Sequence, residues 1–336
     1  MKRLTKHVGN SHFKNIDLSK KHAIKRVLIT RPNHRLGNLL LTTPLLQEIE
    51  NRFPEAKVDV VVQGGLAPIL FENYKNVDKI ITLPKRAFKF PMQYVRGVLS
   101  IRKQKYDMAI NGVMDSSSGK LFALFSKSKY KVFGEEEDDD LKLKYSDYTH
   151  FAKQQVYSLR EYLYKLGYDF ISEPIAPLSL KLSSEELSSG ENIVKDLVKN
   201  DKKTMCIFTF ATGAKCYPES WWLPFYERLK MEYADYNIIE ILPVENVSQI
   251  QFKAPSFYSK DVREIAAVIA NTEVFVGADS GIMHLASASG GRTVGLFSVT
   301  TIGKYEPYNN GVALDTTSTD INGYIEVINK VLSRTT

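Results

Sequence analysis

Residues 273–288 read EVFVGADSGIMHLASA, and this stretch decides the fold class. The apolar run Glu273 to Gly277 is typical of a buried strand, and the apolar run Ile282 to Ala288 is typical of a helix. Between them, a small-residue turn at Asp279 leads into a helix that we expect to begin at Ser280-Gly281. A strand, a tight turn and a helix in this order predict a unit of parallel α/β structure.

The turn itself has two interpretations. A helix N-terminus presents unpaired N–H groups and positive dipole to an anion, and Gly281 would let a phosphate approach the backbone. Ser280 adds a hydroxyl group, and His284 lies one turn further along the same face. Alternatively, Asp279 and Ser280 merely cap the helix, as such residues often do. This stretch alone leaves both interpretations open.

Length and composition narrow the class of protein. A chain of 336 residues favours about two domains, and 43% hydrophobic with 25% charged residues is typical of a soluble globular protein. Cys206 and Cys216 are the only cysteines, which fits a reducing compartment, and no secretory signal is expected. The sequence has no nicotinamide or P-loop fingerprint. It also has no His, Cys and carboxylate cluster typical of a metal site, so no metal is expected.

The net charge of +7 is concentrated at the start of the chain. Residues 1–36 carry ten Lys or Arg and one Asp, which is a local charge of +9, so the remainder sums to −2. The basic arm, residues 1–22, suits an anionic surface. Since Phe13 is its single aromatic residue, we favour a membrane surface or a phosphorylated acceptor over nucleic acid. A solvated tail without a partner is the alternative.

Apolar runs alternate with amphipathic ones, which predicts two doubly wound parallel sheets. The first set of predicted strands lies at 26–30, 58–62, 79–83 and 108–113, and the second at 205–210, 237–242, 273–277 and 293–297. Helices are predicted at 39–52, 221–233 and 282–288. A polar linker is expected at about 170–190, between a first domain over 23–175 and a second over 190–318.

A second loop is a candidate for phosphate binding. Residues 210–218 leave a predicted strand and enter a helix, so Thr212, the Gly213 backbone and Lys215 would gather at the carboxyl edge of the sheet. A lysine there would offset charge on a departing diphosphate. Lys215 as an ordinary surface lysine is the alternative. His34 lies in the corresponding first turn of the other domain.

Several motifs together resemble a known family. Residues 31–46, RPNHRLGNLLLTTPLL, are similar to the opening of the lipopolysaccharide heptosyltransferases, glycosyltransferase family nine. Residues 215–218 resemble that family's lysine, any residue, tryptophan, proline motif, and residues 279–286 resemble its C-terminal signature. The segment 297–300, followed by Pro307, is also similar. The motifs occur in the family's order over about residues 26–310.

The resemblance implies a GT-B architecture, in which two Rossmann-like domains face each other across a cleft. It also implies a C-terminal helix, here residues 319–336, that packs back on the first domain. The implied reaction is inverting, metal-independent and cofactor-free transfer of a heptose or similar sugar. The donor would be a nucleotide-diphosphate sugar, with ADP favoured over UDP, and the acceptor a lipopolysaccharide core or related glycan. We expect a monomer at the cytoplasmic face of the membrane.

The resemblance also implies roles for single residues. Lys215 would neutralise the diphosphate, and Asp279 would order the turn. The residues that would line the nucleotide phosphates are Thr212, Gly213, Ser280, Gly281 and His284. Glu240 and Glu245 are candidates for a ribose contact.

Asn38 departs from the family's pattern. The family's first turn usually ends in glycine-aspartate, and that aspartate would deprotonate the acceptor hydroxyl, whereas an amide cannot accept the proton. His34 would serve as base because imidazole titrates near neutrality, and Asp115 is a second candidate. Alternatively, Asn38 only positions the acceptor, and the protein binds a nucleotide sugar or glycan without turnover.

Overall fold

The computed structural model describes residues 23–85, 89–114, 116–134 and 139–333. The chain divides into two compact units, Met1–Ala176 and Pro177–Thr336. Each unit contains one parallel β-sheet with helical crossovers, which confirms the predicted class of two Rossmann-like domains. The basic arm and Asp115 lie outside the described residues. None of the described helices is long and apolar enough to cross a membrane.

The first unit is built on a five-stranded sheet with the order β3-β2-β1-β4-β5. Its strands are β1 (Arg26–Thr30), β2 (Lys57–Gln63), β3 (Val77–Leu83), β4 (Lys105–Asn111) and β5 (Lys127–Val132). Its helices are α1 (Leu36–Leu40), α2 (Thr43–Arg52), α3 (Ala67–Leu70), α4 (Pro91–Lys103), α5 (Ser117–Phe125), α6 (Asp139–Lys144) and α7 (Gln154–Lys165). The central strands β1, β2 and β4 are almost entirely buried, as expected when helices cover both faces of a parallel sheet.

The single helix predicted at 39–52 is interrupted. It forms two helices, α1 and α2, because Pro44 has no N–H group to donate to the carbonyl of Leu40. The Thr43 hydroxyl donates to that Leu40 oxygen instead, at 2.7 Å. The break ends α1, the five-residue helix that contains Asn38, at Leu40.

The second unit is built on a six-stranded sheet with the order β11-β10-β9-β6-β7-β8. Its strands are β6 (Lys203–Phe208), β7 (Tyr236–Ile241), β8 (Ser256–Phe257), β9 (Val274–Ala278), β10 (Thr293–Phe297) and β11 (Gly311–Asp315). Its helices are α8 (Ser184–Val198), α9 (Glu219–Glu232), α10 (Val262–Ala270), α11 (Gly281–Ala288), α12 (Ile302–Tyr305) and α13 (Ile321–Leu332). The strand order reverses between β6 and β9, so the crevice typical of doubly wound sheets opens at the carboxyl ends of these two strands.

The boundary between the two units, after Ala176, falls inside the predicted linker at about 170–190. The end of that range is helical, because Ser183 and Glu186 begin helix α8 with a capping box. The return of residues 319–336 to the first domain stays a prediction. The apolar face of α13 packs within the second unit. Tyr324, Ile325 and Ile328 of that face are buried in the core of the second unit.

Candidate functional site

The candidate site lies where strands β6 and β9 end. These strands pair in parallel, so their carboxyl ends meet at one edge of the sheet. The loop after β6 leads to a short 3-10 turn, Gly213–Lys215, and the two residues after β9 lead directly into α11. Both predicted phosphate loops therefore meet at the topological switch point of the second sheet.

Lys215 and Asp279 form an ion pair across these two loops. The Lys215 Nζ atom lies 2.5 Å from Oδ2 of Asp279. The Asp279 side chain is only 5% exposed, whereas 36% of the Lys215 side chain remains exposed. A carboxylate removed from water needs a compensating cation, and Lys215 supplies it from the loop after the neighbouring strand. The lysine keeps an accessible side that an incoming anion can reach.

His284 and Tyr305 complete the surroundings of this pair. The His284 ring is buried, and its Nε2 atom lies 4.0 Å from the other carboxylate oxygen of Asp279. The Tyr305 ring centroid lies 6.2 Å from that of His284 and 5.6 Å from the Lys215 ammonium. Sequence reasoning did not identify Tyr305. Its only signal was its position in the segment between Thr300 and Pro307, which follows the family's C-terminal signature.

Ser280 caps the N-terminus of α11, whereas Asp279 does not. Ser280 is the N-cap of α11, and its Oγ atom accepts a hydrogen bond from the Met283 N–H at 3.3 Å. Asp279 does not cap the helix, because its carboxylate is directed to Lys215. The capping interpretation therefore holds for Ser280 alone. Gly281 opens the helix, whose first N–H groups and positive dipole lie beside the Lys215–Asp279 pair.

Gly213 sets the direction of the lysine loop. Its φ of +66° belongs to the left-handed region, and a Cβ atom built on it would contact nothing within 4 Å. The position therefore needs glycine for its backbone conformation and not for space. The Cys216 N–H donates to the Gly213 oxygen at 3.0 Å and closes the turn that places Lys215. Thr212 is exposed at the entry to this turn.

The predicted acceptor residues lie after β1 of the first unit. The backbone of Asn38, in α1, is held by two donors to its carbonyl oxygen: Arg31 Nε and the Thr42 hydroxyl, each at 3.2 Å. His34 is exposed in the loop between β1 and α1, and Asn38 is half-buried. The turn is thus fixed by the buried Arg31 while the imidazole of His34 stays accessible.

Glu240 is not a ribose contact. It is fully buried in β7, and its two oxygens accept hydrogen bonds from the hydroxyls of Thr209, at 2.6 Å, and Ser248, at 2.7 Å. Burial raises the pKa of Glu240, although the two hydroxyl donors act in the opposite direction. The carboxyl group therefore ties Ser248, in the loop after β7, to Thr209, just after β6, and exposed Glu245 remains the other ribose candidate.

No group of three or more His, Cys, Asp or Glu side chains in the described part of the chain could hold a metal ion.

Sequence comparisons agree with this geometry. Residues 260–318, which contain Asp279 to His284, match the model of glycosyltransferase family 9 (heptosyltransferase). Lipopolysaccharide heptosyltransferase 3 of Escherichia coli is 22% identical over 298 residues, covering 82% of this chain and 84% of its own. Lipooligosaccharide heptosyltransferase 2 of Haemophilus ducreyi is 24% identical, covering 78% of this chain and 80% of its own.

Solved structures share the architecture. A glycosyltransferase of family 9 from Veillonella parvula superposes with a TM-score of 0.71 at 16% identity, covering 93% of this chain and 98% of its own. The E. coli ADP-heptose lipopolysaccharide heptosyltransferase II gives 0.65 at 17% identity, with 91% and 98% coverage. The E. coli heptosyltransferase WaaC with ADP gives 0.64 at 18% identity, with 91% and 99% coverage. These similarities confirm the predicted GT-B class of fold.

The buried ion pair predicts that removing Lys215 destabilises the protein more than removing an exposed lysine. Lys215→Met leaves the Asp279 carboxylate buried without its cation, and we expect a loss of about 1–3 kcal/mol in the free energy of unfolding. Lys230→Met is the matched control, because Lys230 pairs with Glu227 while both side chains are about half exposed. It should cost clearly less than Lys215→Met, because an exposed ion pair contributes little to stability. Urea denaturation measures both, and equal losses would contradict the buried pair.

The raised pKa of Glu240 predicts a pH-dependent stability. The pKa of Glu240 is 4.5 in the unfolded state and higher in the folded state. Between these two values the folded protein keeps the proton and the unfolded protein has lost it. The stability of the parent therefore falls as the pH rises through this window. Glu240→Gln has no proton to release. Its stability relative to the parent should therefore increase with pH across this window and then level off. Thermal unfolding of both proteins over a series of pH values measures the trend, and a difference in stability that stays constant with pH would contradict it.

Proposed function

We propose that this chain, which belongs to the lipopolysaccharide heptosyltransferase family (glycosyltransferase family 9), transfers a heptose from ADP-heptose to a lipopolysaccharide core or related glycan. The observation that carries the proposal is the Lys215–Asp279 pair at the N-terminus of α11. It lies at the switch point where doubly wound sheets bind their ligands, and Asp279 lies within the stretch that matches the family model.

The donor half of the reaction follows from this pair. Breaking the bond between the sugar and the diphosphate leaves negative charge on the departing nucleotide. The Lys215 ammonium and the N–H groups at the start of α11 would stabilise that charge, and the proposed transfer would then use neither a metal nor a cofactor. Asp279 holds the lysine in place, and a donor phosphate would share it. Thr212, Gly213, Ser280 and His284 would line the same phosphates.

The acceptor half needs a base. Inverting transfer requires a group that removes the proton from the acceptor hydroxyl as it attacks the anomeric carbon. Asn38 has no capacity for this, and we assign the role to His34, which is accessible in the adjacent turn. Asn38 would then position the acceptor by hydrogen bonding. Asp115 is the second candidate base.

The relatives suggest the partners. We propose that the donor is an ADP-sugar rather than a UDP-sugar, since the solved relatives include WaaC with ADP. The acceptor would be a glycolipid, and the protein would act as a monomer at the cytoplasmic face of the membrane. The basic arm would bind the anionic lipid of that face.

The donor proposal predicts a large loss of transfer without the lysine. Lys215→Ala should lower kcat/KM about 10²- to 10³-fold, because the charge on the leaving diphosphate loses its cation. The measurement is ADP release from ADP-heptose in the presence of truncated core glycolipids. Lys230→Ala, an exposed lysine on α9, is the control and should keep the parental rate. If the parent binds nucleotide but no donor and acceptor pair turns over, it binds its ligands without catalysis and the proposal fails.

The base assignment predicts a rescue. His34→Ala should abolish transfer while the dissociation constant for ADP-heptose stays unchanged, because His34 lies in the other unit from the donor residues. Adding Asn38→Asp should restore part of the rate, since a carboxylate at this position can accept the proton. If His34→Ala keeps the parental rate and Asp115→Asn loses it, the base is Asp115.

A further inference from the structure

Helix α4 of the first unit has an outward face that is unusually apolar. Its inner face packs into the core of the first unit through Ile101, with Tyr94 and Val98 beside it. On the opposite side, at helical spacing, the side chains of Met92, Val95 and Leu99 are 51 to 70% exposed. The solvent side of a crossover helix is normally polar, so this face departs from the pattern.

Helix α5 extends the same surface. Leu121, Leu124 and Phe125 are 38 to 49% exposed. The Arg102 guanidinium of α4 lies 4.8 Å from the centroid of the Phe125 ring, which joins the two exposed faces. Beneath them, Tyr94 and Phe122 pack with their centroids 6.1 Å apart. We define the α4–α5 surface as Arg102 together with the six exposed apolar side chains. The six are Met92, Val95, Leu99, Leu121, Leu124 and Phe125.

The two segments that carry this surface contain basic residues and no acidic ones. Residues 89–103 and 116–129 contain seven basic residues and no Asp or Glu, although the whole chain has 45 basic and 38 acidic residues. The seven are Lys89, Arg96, Arg102, Lys103, Lys120, Lys127 and Lys129. Arg96 and Lys103 follow Met92 and Leu99 at helical spacing, so their long side chains flank the apolar face.

We propose that the α4–α5 surface docks on an anionic lipid bilayer, with its apolar side chains in the headgroup boundary and its cations on the lipid phosphates. An amphipathic helix with bulky apolar residues and Lys or Arg around them is suited to this interface. A second copy of the chain is a poor occupant, because a symmetric interface would bring the seven positive charges opposite one another. The inference rests on the proposed function in one respect: a lipid-linked acceptor requires access to the membrane.

The test uses the full chain with vesicles of phosphatidylcholine, either alone or mixed with phosphatidylglycerol. The variant Val95→Gln/Leu99→Gln/Leu124→Gln should weaken binding to the mixed vesicles at least about tenfold, because three apolar side chains no longer enter the interface. The matched control is Leu187→Gln/Met231→Gln, two apolar residues exposed on α8 and α9 of the second unit. Its affinity should equal that of the parent.

A charge variant tests the second component. Arg96→Gln/Lys103→Gln should weaken binding to the mixed vesicles by about fivefold for each cation removed and leave binding to neutral vesicles unchanged. The control Lys195→Gln/Lys230→Gln removes two exposed cations from the second unit and should change neither. Parental affinity of the apolar and charge variants for anionic vesicles would overturn the proposal. So would a loss of self-association, measured by light scattering, without a loss of vesicle binding.

Transfer assays separate this proposal from the proposed function. The apolar triple variant should transfer sugar to a soluble, acyl-free core oligosaccharide at the parental rate, and more slowly than the parent to an acceptor embedded in vesicles. Equal loss on both acceptors would overturn a membrane role. If the parent transfers to neither acceptor, the proposed function fails, while the vesicle affinities still decide whether the α4–α5 surface binds lipid.

Discussion

The buried carboxylate of Asp279 is the constraint on which the candidate site depends. A charge with so little access to water is tolerated only beside a cation, and in a parallel sheet that cation has to come from the loop of an adjacent strand. The pairing of β6 with β9 supplies such a loop, and the left-handed conformation of Gly213 turns it so that Lys215 reaches the carboxylate. Strand order, glycine position and ion pair therefore form one arrangement, which an anion can enter because the lysine is partly exposed.

The sequence predicts the central strands well because they are buried on both faces. The predicted bounds of β10, 293–297, agree with the structure, and those of β1 do as well. By contrast, β5 reads KSKYKV and was not predicted, since it lies at the edge of the sheet and buries only some of its side chains. The two-residue β8 is too short to give a periodic signal. For α13, the apolar pattern shows that one face is buried but not which core receives it.

In the candidate site, too, the residues placed by the local sequence pattern were predictable, and those placed by tertiary contacts were not. Lys215 and Asp279 were predictable because each lies in a strand, turn and helix sequence whose carboxyl end has a known direction. Tyr305 was not, because its contact with the pair depends on where the short helix α12 lies. Glu240 was misinterpreted since an acidic residue near a strand end looks like a ligand. Only the fold shows that two hydroxyls from different loops already occupy its oxygens.

The exposed apolar side chains of α4 and α5 need a physical reason of their own. An apolar surface in water favours association, and six exposed apolar side chains on two neighbouring helices are more than the single exposed residues that are normal on a protein surface. The packing of α4 on the first unit does not require its outward side chains, because Tyr94, Val98 and Ile101 already connect this helix to the core. Polar residues would therefore serve at the outward positions without loss of the fold. An environment that receives apolar side chains and basic residues together accounts for both features, and a lipid interface has these two properties.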